Sequence, residues 1–197
     1  MLAFAFAVFF LIITPGPGVL SAAGVGSTYG FRFGTRYIFG LFLGTNLVAI
    51  LVITGVASVI FSFPYVRYFL LLISSAYIIF LAMKIAFYGS KINFLKLQSA
   101  PSVLQGIALQ LINPKAYLVN LTFYSGFAFY PSNFIIEVSL KLLIGNLIWI
   151  PIHFLWLYLG ILFYELPIKK ISKKIIQYVM SSSLIIVVLL SIVSMEY

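Results

Sequence analysis

Cysteine is absent from this chain of 197 residues, and so is aspartate. The first absence excludes disulfides, thiolate-bound metal clusters and any thiol relay. Three glutamates are the only acids and there is a single histidine, so a side-chain metal cage or a pair of catalytic carboxylates lacks its raw material. Charge of either sign is scarce, at 8% of residues. What fills the chain is apolar: 63% hydrophobic residues and a mean hydropathy of +1.19. A soluble domain of this length cannot bury so much apolar surface, so lipid is the expected solvent. The formal charge of +9 is scattered between apolar segments rather than gathered on one face. That pattern fits loop charges that orient a membrane protein and not nucleic-acid binding.

A span needs about 20 apolar residues to cross the hydrocarbon core. Six such segments can be drawn, at roughly 2–22, 37–62, 66–87, 102–128, 133–160 and 175–195. The fold class expected is therefore all-α integral membrane, one multi-pass domain. The N-terminal segment lacks the basic flank of a signal peptide and is read as a first span. Arg32 and Arg36 lie in the first connection, Lys84, Lys91 and Lys96 in the third, and Lys169, Lys170, Lys173 and Lys174 in the fifth; the others and the termini carry only Arg67. Positive charge marks the cytoplasmic side, which places both termini outside.

The two halves, roughly 1–98 and 99–197, echo each other. "GTNLVAI" from Gly44 aligns with "GNLIWI" from Gly145, superposing Asn46 on Asn146. "SSAYII" from Ser74 echoes "SSSLII" from Ser181, and Pro15 and Pro114 fall at nearly the same offset. Three spans per half is an odd number, so the second copy is expected upside down, a 3+3 inverted repeat of the kind found in secondary transporters.

Two segments break the apolar pattern from within. In "ITPGPGVL" (Ile13 to Leu20) Pro15 and Pro17 have no N–H, which deprives the carbonyls of Leu11 and Ile13 of helical partners. Gly16 and Gly18 permit backbone angles other residues resist. In "LINPKAYL", Pro114 deprives Gln110 in the same way. Thr14 lies about 12 residues from the outer face and Asn113 about 11 from the inner, or ~18 and ~17 Å at 1.5 Å per residue. Both breaks are thus expected near the bilayer midplane. Helices restarting at Pro17 and Pro114 would offer free N–H groups to a carboxylate, and the freed carbonyls would suit an ammonium. A zwitterionic amino acid carries both.

"TPGPGVL", the glycine series Gly30, Gly34, Gly40, Gly44 and Gly55, and "LQLINPKAYL" resemble the LysE/RhtB family of amino-acid exporters. The likeness covers the first two spans and the fourth by motif and the remainder by topology. It implies an inner- or plasma-membrane protein of about six helices that exports amino acids or relatives, driven by an ion gradient and needing no cofactor. Many members of the family have a more polar or acidic position near Thr45. Here it reads Thr45-Asn46, which speaks against an acidic site for a basic substrate.

The candidate substrate-binding residues are therefore Thr14, Pro15, Gly16, Pro17, Gly18, Asn46, Asn113, Pro114, Lys115 and Asn146. Lys115 would either attract the substrate carboxylate or cap the carbonyls freed in the first span, since a mid-membrane lysine needs a partner or a cavity. Asn46 and Asn146 would bind substrate or join helices. Tyr117 and Asn120 would line the same cavity or pack. Glu137 and His153 are the candidates for ion coupling, with Lys141 at i+4 as a salt-bridge partner for Glu137. The partners expected are a small amino acid and the bilayer, with no nucleic acid or metal; a homo-oligomer is compatible with the sequence. An exporter of another small polar solute or cation is the alternative. An intramembrane hydrolase built on Ser125 and His153 is a remote one, because those residues lie at different depths.

Overall fold

The computed structural model describes residues 1–55, 64–86 and 100–165, with a few positions between 174 and 189. It contains α1 (Leu2–Ile13), α2 (Pro17–Ile53), α3 (Pro64–Ala86), α4 (Val103–Ile112), α5 (Pro114–Ser125) and α6 (Phe134–Glu165), and no strand among the described residues. Most of the sixth expected span, and the lysines at 91, 96, 169, 170 and 173, lie outside them.

Among the described residues two helices are long and apolar enough to cross a bilayer, α2 with 37 residues and the stretch Phe134–Leu162 of α6. At 1.5 Å per residue α2 would reach about 56 Å if straight, well beyond the ~30 Å hydrocarbon core. It is not straight. Gly30 has φ 78° and ψ −178°, and helical geometry resumes on either side. A positive φ costs glycine nothing and other residues dearly, so this residue turns the chain where a longer loop, from about 22 to 37, is expected from hydropathy alone. The small residues of "SAAGVGSTYG" keep the helix going up to the bend, and Arg32 and Arg36 follow it in exposed positions.

Interruptions lie at both proline motifs. α1 stops at Ile13, Gly16 is extended, and α2 restarts with Pro17 in its first turn. α4 stops at Ile112 and α5 restarts at Pro114, with Asn113 capping both ends. A proline at the first helical position loses nothing, since its missing N–H would have had no helical acceptor.

Glycines draw the long helices to backbone distance. A Cβ on Gly40 would collide with the Val103 carbonyl, and one on Gly44 would sit 2.8 Å from the Ile107 carbonyl. Gly106 returns the contact from α4: a Cβ on it would lie 2.7 Å from the Tyr37 carbonyl. On the other flank of α2, Gly160 of α6 rests on the Ala23 carbonyl. α2 is thereby held between α4 and α6. Phe4 packs edge-on against Phe123 and Phe127, closing α1 over the end of α5. Outward, Leu2, Phe6 and Phe10 of α1 are 78%, 61% and 61% exposed. An apolar face of that kind is at home in lipid.

Candidate functional site

The two breaks meet. The Lys115 ammonium, one residue into α5, donates to the Thr14 carbonyl at 2.7 Å and to Thr14 Oγ1 at 2.8 Å, with the Pro15 carbonyl at 3.5 Å. The Thr14 hydroxyl in turn donates to the Leu11 carbonyl at 2.7 Å, replacing the bond that Pro15 cannot make. A cation at a helix C-terminus is also favoured by the helix dipole. Gly16 leaves room for the lysine stem: a Cβ there would lie 2.8 Å from Lys115 Cδ, so the flexible side chain would have to shift.

Asn113 repairs the second break. Its N–H takes the Gln110 carbonyl at 3.2 Å, its Oδ1 accepts from the Lys115 N–H at 3.1 Å, and its Nδ2 donates to Gln110 Oε1 at 3.2 Å. No side chain caps the start of α2. Its first N–H groups therefore retain donor capacity beside the cavity.

That cavity, of about 80 Å³, lies between α1, α2, α4, α5 and α6. One water needs only ~10–15 Å³, so a small solute or several waters fit. Gly16, Gly18, Asn46, Asn113, Lys115, Asn146 and His153 line it. Thr14, Pro15, Pro17 and Pro114 do not; they frame it, with Thr14 reached through Lys115. Asn46 and Asn146 exchange two hydrogen bonds, of 3.2 and 3.0 Å. Interhelical bonds of this kind are worth about 0.6 kcal/mol each and up to ~1.7. Asn46→Ala and Asn146→Ala are therefore expected to destabilise non-additively, with a coupling energy of about 1 kcal/mol in a double-mutant cycle. Simple additivity would mean that the pair does not act as one contact.

His153 is buried, stacked on Trp149 with ring centroids 3.5 Å apart. Its Nδ1 lies 3.0 Å from the Trp149 carbonyl. A carbonyl only accepts, so Nδ1 carries a proton and donates it there, which leaves Nε2 as the ring nitrogen facing Gly18. Gly18 makes room for it: a Cβ there would be 3.3 Å from both His153 Nε2 and Gln110 Nε2. Glu137 stands apart from the cavity. Its Oε1 pairs with Lys141 at 2.7 Å and its Oε2 accepts from the Tyr130 N–H at 2.8 Å. Lys141 does line the cavity, with its charge already countered. The Ser125 hydroxyl donates to the Leu121 carbonyl at 2.6 Å and makes no bond to His153.

Gln110 is the lining residue that sequence reasoning passed over, although it stands within the quoted "LQLINPKAYL" motif. Its carbonyl was legible as deprived by Pro114; its side chain, 4% exposed, becomes visible only once α2 closes over α4. Asn120 does line the cavity, as does Thr45. Tyr117 lies in a separate apolar cluster with Val48, Val52 and Ala116, and its hydroxyl donates to the Leu111 carbonyl.

A family model described as LysE type translocator matches residues 9–195. The chain belongs to this family. The protein is thus a translocator and not an enzyme. The cysteine/O-acetylserine efflux protein of Escherichia coli (strain K12) is 33% identical to the translocator over 146 residues, 70% of this chain and 73% of that protein. Its namesakes in Shigella sonnei (strain Ss046) and Shigella flexneri serotype 5b (strain 8401) are 33% and 32% identical with the same coverage. No solved structure matches the translocator. Among the described residues that line its cavity there are two lysines and no carboxylate.

Proposed function

We propose that the protein is a secondary exporter of small neutral amino acids, binding them near the bilayer midplane between the two broken helices. The observation that carries this reading is the cavity itself, which joins donors at the start of α2 and the Lys115 cation to carbonyl and amide acceptors. A carboxylate and an ammonium on one small molecule need that combination. The relatives named for efflux of cysteine and O-acetylserine support substrates of this size and charge. The two breaks, together with the Asn46–Asn146 contact, support an inverted repeat of three spans each. The loop charges support a multi-pass inner- or plasma-membrane protein with both termini outside.

His153 is the better placed of the two coupling candidates, because its Nε2 borders the cavity while Glu137 is bound to Lys141 and Tyr130. Proteoliposomes loaded with labelled L-cysteine are expected to release it faster when a proton gradient is imposed. His153→Ala is expected to retain basal efflux and lose the response to the gradient. Unaltered gradient dependence in that variant would remove His153 from the coupling path. Failure of the wild-type protein to move any amino acid would end the export reading.

A further inference from the structure

The ammonium of Lys115 satisfies the acceptors of the first break, and no carboxylate among the described residues pairs with it. Its contacts are the Thr14 carbonyl and hydroxyl and, at longer range, the Pro15 carbonyl. The other lysine at the cavity, Lys141, has its counter-ion in Glu137. Lys115 is the cavity cation held by neutral oxygens alone, and those oxygens form the cradle that a primary ammonium of any origin would choose. Its flexible four-carbon stem passes over Gly16, where a side chain would push it aside. Two ammonium groups cannot share the cradle, because like charges at contact distance repel and the same few oxygens would have to serve both.

Resting on the reading that the cavity binds an amino acid, we propose that Lys115 is a tethered surrogate for the substrate's own ammonium. When the cavity is empty, the lysine holds the Thr14 oxygens. When a zwitterion enters, its ammonium takes the Thr14 oxygens and its carboxylate receives the displaced lysine. Charge is conserved locally in the exchange: one ammonium replaces another in the cradle, and the displaced one finds the carboxylate that came with its competitor. A ligand with an ammonium and no carboxylate can evict the lysine only by leaving it unpaired. The device therefore selects zwitterions against plain amines, without an acidic residue in the cavity.

The test compares L-cysteine with 2-aminoethanethiol, the same molecule without its carboxylate, in proteoliposomes carrying the full chain. Against labelled L-cysteine, the unlabelled amino acid is expected to compete at least about tenfold better than the amine in the wild type. In Lys115→Met the gap is expected to close to within about threefold, because the amine finds vacant acceptors and cysteine has lost its carboxylate partner. Purified Lys115→Met is also expected to gain thermal stability on addition of the amine, which leaves the wild type unmoved, so binding is read without transport. Equal competition by the two ligands in the wild type would overturn the proposal with no variant needed. An undiminished gap in Lys115→Met and Lys115→Gln would do the same. In both cases cysteine is still transported and the export reading stands. If the wild type moves neither cysteine nor any other amino acid, the export reading falls and takes the surrogate with it.

Discussion

Replacing Pro15 and Pro17 together with alanine is expected to cut amino-acid efflux roughly a hundredfold while the protein remains folded in detergent. Alanine restores the two missing N–H groups and is the strongest helix former. The Leu11 and Ile13 carbonyls can then take back helical partners, and α1 can run into α2 as one rod. The Thr14 carbonyl would be drawn into that rod and lost to Lys115, which now bonds it at 2.7 Å. A hydrogen bond to a charged group is worth about 1.5–3 kcal/mol. Losing the Thr14 carbonyl and hydroxyl contacts thus removes about 3 kcal/mol or more from the arrangement, and every 1.4 kcal/mol is a factor of ten. Efflux from proteoliposomes and the melting temperature of the same preparation decide the matter together. Efflux within a few-fold of wild type in a well-folded double variant would show that the break is an ornament of the helix and not part of the site.

The largest effect on stability is expected at a position outside the cavity lining. Gly160→Val places a branched side chain where the backbone of α2 already lies, against the carbonyl and Cα of Ala23. The obstacle is backbone rather than a flexible side chain, so the helices themselves must part. Overpacking of a filled core costs about 1–3 kcal/mol and occasionally more, and a backbone collision belongs at the upper end. A chain of this length loses about 2–4 °C of melting temperature per kcal/mol, which predicts a drop of about 6–12 °C. Gly145→Ala is the control on the same helix. No atom lies within 4 Å of its added Cβ, and alanine is favoured over glycine in a helix interior by up to about 1 kcal/mol. Its melting temperature is expected to stay level or rise. If both variants melt alike, the close approach of α2 and α6 is not what holds the fold.

Much of the site is legible along the chain because proline and glycine act locally. A missing N–H deprives a known carbonyl four residues back, whatever the rest of the protein does, and the interruptions at residues 14–16 and at 113 follow from that alone. The connection after the first span shows where such reasoning stops. Hydropathy separates two segments around Arg32 and Arg36, yet a single glycine at φ 78° turns the chain. Whether a glycine bends or merely packs depends on the sign of φ, which composition does not encode: Gly40 and Gly44 in the same series pack helices at close range.

The two readings of Lys115 were equally open in the sequence, since either keeps a lysine at a mid-membrane cavity. The fold shows it on the Thr14 oxygens, 101 positions away along the chain. Asn46 and Asn146 likewise bond across 100 positions. For Glu137 the local i,i+4 spacing already names Lys141 as its partner, and the contact is there at 2.7 Å.

By itself, then, the sequence determined that the solvent is lipid, that two helices break, and which backbone groups the breaks set free. These follow from composition and from bonds that span no more than four residues. Only the tertiary structure decided which groups answer them. The close passage of α2 between α4 and α6, allowed by glycines meeting carbonyls, brings the two breaks to one cavity and puts the Lys115 ammonium on the Thr14 oxygens.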